Sequence, residues 1–260
     1  MTNFKHYLSL MTIMRGEAPY ILDWAKYHLG LGFDHLYIYD NDPLNDNTAS
    51  NILRGNFSTQ EVTIQKVFED TKQAECMNKA ITSLKGVTRW LALFDVDEYM
   101  TVKTPFTDIK QELINYESYP ALCVHWRLFG SNGHQKYEDK PVPERFTRAA
   151  SDIDRHVKSI VNPLRTSNII TVHKCHHPDG HAVDEKFNQI ADNDSRPEPA
   201  IANKFQLSHY VTKSFEECAE RRNRPRADIP AKHQMPEFFH GHDRNEVEDL
   251  STYNIWMRVK

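Results

Sequence analysis

The first 100 residues alternate between apolar runs of strand length and amphipathic stretches of helix length. From Pro19 onward, apolar side chains recur every three or four residues, as on one face of a helix, and Gly30 and Gly32 are expected to end that helix. Runs of strand length occupy residues 6–14, 35–40, 61–67 and 89–95. This alternation predicts an α/β fold with a mixed, mainly parallel sheet flanked by helices.

After residue 100 the pattern becomes less regular. We expect a helix near 107–117, a strand over 121–129, shorter strands over 156–161 and 168–173, and irregular structure over 176–202, which is rich in Pro, Asp and Asn. The second half of the chain is therefore predicted to be the more irregular one.

Two pairs of side chains match the capping box, in which a polar side chain and an acid three residues later close the start of a helix. Ser214 with Glu217 predicts a helix over SFEECAERR. Asp243 with Glu246 predicts the start of a C-terminal helix.

The composition limits the classes of function. A formal net charge of −4 over 260 residues gives no general attraction for nucleic acid. Four cysteines without a CxxC pair predict neither a disulfide framework nor a zinc ribbon and fit a reducing compartment. The N-terminus lacks the apolar segment of a signal peptide, and no transmembrane segment is expected. We predict a cytoplasmic protein, with attachment to the inner membrane face through a partner left open.

Residues 90–100 read WLALFDVDEYM, a strand pattern that ends in Asp95, Asp97 and Glu98. Because side chains alternate along a strand, Asp95 and Asp97 are expected to point to the same side. Two carboxylates that face each other repel, and a divalent cation such as Mn²⁺ or Mg²⁺ relieves this repulsion. The alternative is a solvated turn in which one of the two acids caps a backbone amide.

Several motifs occur in an order that points to a known family. They are EAPYILDWAKYHLGLGFDHLYIYDN, RWLALFDVDEYM, HWRLFGSNG and LSHYVTKSFEE. With them the chain resembles glycosyltransferase family 92 proteins and bacterial relatives in family 2, least closely between about residues 135 and 202. The resemblance implies one domain with the GT-A (Rossmann-like) fold over residues 1–260. Residues 1–100 would bind the nucleotide sugar, and residues 101–260 would form an irregular acceptor side.

The resemblance also implies a reaction and its ligands. A metal-dependent hexosyltransferase would move a sugar from a nucleotide-diphosphate donor, with inversion, to a hydroxyl of a glycan or lipid-linked saccharide, as in polysaccharide biosynthesis. We expect a UDP-sugar donor. Matching positions assign the metal to Asp95, Asp97 and His209. They assign the donor to Glu17, Asp40, Asn41 and Asp95.

Further residues are candidates within this picture. Trp126 is an apolar platform for a sugar ring, and Gly130 would let the backbone approach a ligand closely. The alternative for both is a core tryptophan followed by a tight turn. The candidate catalytic bases are Asp184 and Glu185, each of which could instead be an ordinary loop acid. Lys213 and the arginines 221, 222, 224 and 226 could meet the diphosphate or form a solvated helix end.

The sequence departs from the family pattern at three positions. Gly16 stands where an Asn is usual, Asp23 replaces a Glu, and Pro43 replaces a Ser in the turn after Asp40. The first and third changes affect the expected nucleotide loops, so the identity of the base is the least determined feature.

Three other functions remain as alternatives. The histidines and the cysteine of HKCHHPDGH (173–181) could bind zinc or copper, although their spacing fits no common zinc scaffold. A phosphohydrolase could use Asp95 as a nucleophile, although its DxD motif normally lies in the first strand. A catalytically inactive carbohydrate-binding protein could also keep this fold.

Overall fold

The computed structural model describes residues 3–42, 47–68, 73–105, 108–223 and 235–260. Within these ranges the strands are, in chain order, β1 (His6–Met14), β2 (His35–Asp40), β3 (Val62–Lys66), β4 (Thr88–Leu93), β5 (Glu98–Val102), β6 (Ala121–Leu128), β7 (Arg148–Ala149), β8 (Val157–Val161), β9 (Asn168–Thr171), β10 (Lys174–His176), β11 (Ala182–Val183), β12 (Gln189–Ile190), β13 (Phe205–His209) and β14 (Val247–Glu248).

The described helices flank these strands. They are α1 (Ile21–Leu31), α2 (Thr48–Asn56), α3 (Gln73–Ser83), α4 (Ile109–Leu113), α5 (Val142–Arg145), α6 (Phe215–Asn223), α7 (Glu237–His242) and α8 (Ser251–Val259). Among the described segments, none is a helix long and apolar enough to cross a membrane.

The central sheet confirms the predicted α/β class. Its strands run in the order β12-β11-β6-β8-β4-β1-β2-β3. The neighbours β4, β1, β2 and β3 are parallel, whereas β8 runs antiparallel between β4 and β6. Every residue of β4 is buried because apolar clusters cover both faces of the sheet. The sheet is therefore mixed, with a parallel half built from the first part of the chain.

The first helix follows its predicted pattern except at two positions. Its buried side chains include Trp24 and His28, and it ends at Gly32, whose φ of 119° is in the left-handed region that glycine tolerates. Pro19 precedes the helix instead of lying in its first turn. Gly30 lies inside the helix, where a Cβ atom would come within 2.4 Å of the Cβ of Val259 in α8. The expectation that Gly30 ends the helix was wrong, because this glycine allows two helices to pack closely.

Two strands that the sequence did not predict bring the second half of the chain to the acidic motif. β5 begins at Glu98, the last acid of the motif, and pairs antiparallel with β13, so that Glu98 lies opposite His209. β13 also pairs in parallel with β6, with His209 opposite Leu128. The end of β13 is thus fixed beside the turn that carries the acids.

One of the two predicted capping boxes is present. The Ser214 amide donates to Glu217 Oε2 over 3.1 Å, and the Glu217 amide donates to Ser214 Oγ over 3.3 Å at the start of α6. The prediction for Asp243 and Glu246 was wrong, because α8 begins later, at Ser251. Asp243 instead accepts a hydrogen bond from the amide of Ser131.

Candidate active site

Asp95 and Asp97 of the DVDE motif lie in the turn between β4 and β5, and Glu98 is the first residue of β5. The Glu98 amide donates to the carbonyl of Asp95 over 3.0 Å, and the Asp95 amide donates to the Glu98 carboxylate over 2.7 Å. The strand ends at Leu93, so the expectation that strand alternation directs Asp95 and Asp97 to one side was wrong. The alternative of a turn was nearer, although this turn is not fully solvated because Asp97 is buried.

Asp95 is held by side chains from two other elements. Its Oδ2 atom lies 2.7 Å from Nζ of the buried Lys158 in β8, and its Oδ1 atom accepts a hydrogen bond of 2.8 Å from Gln73 at the start of α3. Nζ of Lys158 also lies 3.6 Å from Glu98 Oε2. Burial alone would lower the pKa of Lys158, but the nearby carboxylates of Asp95 and Glu98 outweigh burial and raise it. Lys158 is therefore a buried cation between two acids.

Glu98 is completely buried, unlike Asp95. Burial raises the pKa of Glu98 well above its usual range, although Lys158 opposes this rise. Within the described ranges its Oε1 atom has no hydrogen-bond partner. Glu98 therefore serves mainly to hold the turn through the Asp95 amide.

Asp97 contacts a different cation from Asp95. Its carboxylate forms an ion pair with Arg221 from α6 and lies 3.3 Å from Nε2 of His209 at the end of β13. Burial raises the pKa of Asp97, but Arg221 and His209 outweigh burial and hold it well below its usual range. Asp97 is therefore ionised. We call Asp95, Asp97, Glu98, Lys158 and Arg221 the charged cluster.

A pocket lies next to Arg221. Its lining comes from the loop after β1, from the loop before α6 and from α6 itself, and comprises Glu17, Tyr20, Val211, Thr212, Lys213, Glu217 and Arg221. Nζ of Lys213 lies 4.4 Å from the centre of the Tyr20 ring. Burial lowers the pKa of Lys213, and Asp97 partly opposes this effect. The structure thus brings Glu17 and Lys213 into one pocket with Arg221. Their predicted roles in binding the donor stay predictions.

The residues on both sides of this pocket are held firmly in place. Glu217 accepts two hydrogen bonds from the buried Arg145, at 2.7 and 2.9 Å, and one of 2.9 Å from the Tyr20 hydroxyl. Gly16 has a φ of 69°, in the left-handed region that both glycine and asparagine tolerate. The conformation of this loop therefore suits the glycine that the sequence has at position 16.

Asp40 and Asn41 lie at the end of β2, beside the loop after β1. Asp40 is buried, pairs with Lys66 at 2.7 Å and accepts a hydrogen bond from Ser50. Asn41 Oδ1 accepts a hydrogen bond of 3.4 Å from Arg15. Their predicted role in holding the donor stays a prediction. Pro43 lies outside the described residues.

Trp126 joins the site through His209. Its ring centre lies 4.2 Å from that of His209, 5.0 Å from that of His156 and 5.2 Å from that of His173. The residue is half-buried, and its role as a platform for a sugar ring stays a prediction. The sequence did not single out His156.

Gly130 packs closely against residues 244–245 of the same chain. A Cβ atom there would come within 2.4 Å of both the Arg244 carbonyl oxygen and Oδ1 of Asn245. The packing of residues 244–245 therefore explains this glycine, and its contact with a donor stays a prediction.

The predicted bases Asp184 and Glu185 lie at the other end of the sheet from β3, next to β11. Asp184 accepts hydrogen bonds from the amides of Lys186 and Asn188. Glu185 accepts hydrogen bonds of 2.8 to 2.9 Å from three successive amides, those of residues 203–205. No hydrogen bond or ion pair among the described residues joins either acid to the charged cluster. Their contacts favour a structural role, and their catalytic role stays a prediction.

The remaining candidates are the arginines of α6 and beyond, and the histidines and cysteine of HKCHHPDGH. Arg221 enters the site, whereas the Arg222 guanidinium lies over Phe238 and arginines 224 and 226 lie outside the described residues. In HKCHHPDGH, His176 pairs with Asp192 at 2.7 Å, and Cys175 is a buried free thiol. Over the described part of the chain, no group of three His, Cys, Asp or Glu side chains could hold a metal ion.

The acidic turn follows the carboxyl end of β4, and ligands of open α/β sheets bind beyond the carboxyl ends of the strands. Residues 11–235 match the family model for glycosyltransferase family 92. Because this match covers most of the chain, the chain belongs to glycosyltransferase family 92.

Curated relatives and solved structures were also compared. A family 92 protein from Oryza sativa subsp. japonica is 28% identical over 67% of this chain and 30% of its own length. One from Ricinus communis is 25% identical over 67% of this chain and 32% of its own length. The chain thus spans about a third of these relatives. The structure also superposes on the crystal structure of HddC from Yersinia pseudotuberculosis, over 60% of this chain and 69% of that chain, with 11% identity and a TM-score of 0.36. This TM-score is too low to bear on function.

Proposed function

We propose that this chain is a metal-dependent, inverting glycosyltransferase with the GT-A fold. It transfers a sugar from a UDP-sugar to a hydroxyl group of a glycan or lipid-linked saccharide. The observation that carries this proposal is the buried, ionised Asp97 carboxylate, which pairs with Arg221 and lies 3.3 Å from His209 beside a pocket with a second cation. Membership of family 92 supports sugar transfer.

Asp97 and His209 fit a divalent cation. Their Oδ2 and Nε2 atoms are 3.3 Å apart, close enough for both to approach one ion, and an oxygen with an imidazole nitrogen suits Mn²⁺. Further ligands would come from the donor diphosphate and water. When bound, the metal supplies electrostatic stabilisation of the leaving diphosphate. Asp95 stays a predicted ligand, and it would first have to exchange its contact with Lys158.

Arg221 and Lys213 are proposed to bind the donor diphosphate. Arg221 presents a guanidinium fork, which matches phosphate oxygens in two-point hydrogen bonds. In the structure its partner is Asp97, and binding of the diphosphate would require Arg221 to share or exchange this contact. Glu17 lines the same pocket and limits its net positive charge.

A thermal-shift titration tests the proposed donor. MnCl₂ with UDP is expected to raise the Tm of the wild-type protein, because a ligand that binds only the folded state stabilises it by mass action. MnCl₂ with GDP is expected to give a smaller rise. The Asp97→Asn variant should lose the rise given by MnCl₂ and UDP. Release of UDP from UDP-glucose, UDP-galactose and UDP-N-acetylglucosamine then tests turnover.

Asp249→Asn is the matched control, because Asp249 is another buried aspartate and pairs with Arg127 at 3.0 Å. This variant should have a lower Tm but keep the ligand-induced rise. The proposal is wrong if Asp97→Asn keeps the rise, or if the protein hydrolyses p-nitrophenyl phosphate but turns over no nucleotide sugar. Stabilisation by GDP alone would contradict the choice of uridine.

A further inference from the structure

The second half of the chain carries a histidine–aspartate pair next to Trp126, which the sequence did not single out. Nδ1 of His156 lies 2.7 Å from Oδ1 of Asp154, and the His156 amide donates to the same oxygen over 2.8 Å. Oδ1 of Asp154 therefore accepts two hydrogen bonds from His156, one from the ring and one from the amide. No hydrogen bond among the described residues engages the other ring nitrogen, Nε2.

Main-chain hydrogen bonds hold this pair opposite Trp126. The Trp126 amide donates to the carbonyl of His156 over 3.0 Å, and the Asp154 amide donates to the carbonyl of Trp126 over 2.9 Å. The imidazole of His156 lies at a tilt against the indole, with ring centres 5.0 Å apart. Main-chain hydrogen bonds thus fix both Asp154 and His156 to Trp126 in β6.

The same indole links the pair to the proposed metal site. The ring of His209, which lies 3.3 Å from Asp97, packs against Trp126 at 4.2 Å. Burial raises the pKa of Asp154, but the hydrogen bonds from His156 and the nearby His209 lower it overall, so the carboxylate is ionised. Asp154 and His156 have 24% and 30% of their side-chain surface exposed, so an acceptor can reach them.

We propose that His156, oriented by Asp154, is the general base that takes the proton from the acceptor hydroxyl. This inference rests on the proposed glycosyltransferase function. The acceptor oxygen loses its proton to Nε2 of His156 and bonds to the anomeric carbon. The bond between that carbon and the diphosphate breaks, and its electron pair leaves with the diphosphate. Asp154 stabilises the imidazolium that forms, as a positioning residue.

The chemistry of the pair suits this step. A carboxylate that accepts from Nδ1–H leaves Nε2 of the neutral ring unprotonated and able to accept a proton. By contrast, Asp184 and Glu185 already accept several backbone hydrogen bonds each. Trp126 lies between the base and the metal site, where a sugar ring stacked on the indole would reach both.

Several titratable groups face this pair, and they bear on its pH dependence. They are Asp154 itself, His173 in the turn between β9 and β10, His209 in β13, and, through His173, Lys158 and Asp95. Burial and Lys158 lower the pKa of His173 to about 4, so His173 stays neutral near neutral pH. The groups nearest to the base are therefore its own carboxylate partner, Asp154, and the neutral ring of His173.

The test compares three variants of the full chain with MnCl₂, the three UDP-sugars named above and methyl β-D-galactopyranoside or methyl β-D-glucopyranoside as acceptors. His156→Gln is expected to lower kcat by about 10²- to 10⁴-fold, the range of general-base catalysis. The KM for the donor and the rise in Tm with MnCl₂ and UDP should not change. Asp154→Asn should lower kcat and move the acid limb of the pH–rate profile to lower pH, because the imidazolium loses its anion.

A second His–Asp pair provides the matched control. His176 and Asp192 have the same separation of 2.7 Å but lie outside the proposed site. His176→Gln should leave kcat and the pH–rate profile unchanged. ¹⁵N NMR of the wild-type protein should show neutral His156 with its proton on Nδ1, assigned by the loss of its signals in His156→Gln.

The outcomes separate this inference from the proposed function. Wild-type turnover that persists in His156→Gln, or a neutral ring protonated on Nε2, would overturn the role of His156 while leaving the glycosyltransferase intact. A wild-type protein that releases UDP from none of the donors would overturn the proposed function and the role of His156 with it. A loss of the rise in Tm with MnCl₂ and UDP in His156→Gln would mean that the histidine maintains the donor site instead of acting as the base.

Discussion

The core around α1 and the charged cluster bury polar groups in opposite ways. In the core, Nδ1 of His28 donates to the Trp24 carbonyl over 2.9 Å, and Nε2 accepts from the Met100 amide over 3.2 Å. Burial lowers the pKa of His28 to about 3, so this ring is neutral and fully hydrogen-bonded. A neutral, satisfied group costs little to bury.

The charged cluster instead holds charged side chains, of which Asp97, Glu98 and Lys158 are buried whereas Asp95 and Arg221 are partly exposed. Lys158 pairs with Asp95 across 63 residues of sequence, and Arg221 pairs with Asp97 across 124. Removal of ions from water is costly, and such pairs add little net stability compared with apolar side chains. The comparison indicates that the core is arranged for stability, whereas the cluster retains costly charges where a charged ligand is proposed to bind.

The largest expected effect comes from Lys158→Met. This change leaves Asp95 and Glu98 without their shared cation and should lower the free energy of unfolding by about 3 kcal/mol, as measured by urea denaturation at pH 7. Lys174 is an equally buried lysine whose Nζ atom contacts Cys123 Sγ at 3.3 Å and forms no ion pair with a carboxylate of the described residues. Lys174→Met should be neutral or stabilising. Equal losses in both variants would show that the pairing with the acids is not what matters.

Lowering the pH tests the neutral core. The pKa of His28 is about 3 in the folded protein and 6.5 in the unfolded chain, so the unfolded state binds more protons between these values. Stability is therefore complete above the unfolded pKa and is lost as the pH falls from 6.5 toward 3. His28 alone should lower the free energy of unfolding by about 2 kcal/mol between pH 7 and pH 5.

The contribution of His28 is the difference between the wild-type protein and His28→Gln, because other groups titrate in both. If the variant does not fold, NMR titration of His28 in the wild-type protein gives the same information. A ring that gains its proton above pH 6 would contradict a neutral core.

A pair of glycine substitutions tests the close packing of the core. Gly30→Ala places a Cβ atom within 2.4 Å of Val259 and should lower the free energy of unfolding by about 2 kcal/mol through overpacking. Gly55 in α2 has no atom within 4 Å of such a Cβ atom, so Gly55→Ala should raise stability by about 0.5–1 kcal/mol. Urea denaturation measures both. Similar changes in the two variants would show that the contact between α1 and α8 is loose.

The smallest expected effect concerns the helix that carries Arg221. Ser214→Ala removes one half of the capping box and should lower the free energy of unfolding by about 1 kcal/mol. Ser214→Thr should keep most of the stability, because a threonine hydroxyl can accept from the Glu217 amide and donate to the Glu217 carboxylate as the serine does. If Ser214→Thr is no more stable than Ser214→Ala, the capping hydrogen bonds contribute less than the packing around Ser214.

Local patterns predicted the elements whose signal lies within a few residues. The strands β1, β2 and β3 and the helix α1 follow from apolar periodicity, and the start of α6 follows from Ser214 and Glu217. The strands β5 and β13 were not predicted, because each is a five-residue run that mixes apolar and polar side chains and pairs with a strand far away in the sequence. A lysine inside the apolar run HVKSIV was the available signal for Lys158, since a lone cation in a buried strand needs an anion.

The sequence by itself determined the α/β class, the position of the acidic motif after an apolar strand, and the family. Each of these depends on apolar periodicity or on motifs of neighbouring residues. Only the tertiary structure decided that Asp95 and Asp97 lie in a turn with separate cations, that His209 reaches Asp97, and that His156 and Asp154 lie against Trp126. These contacts join residues far apart in the chain, and strand pairing, which no local pattern specifies, brings them together.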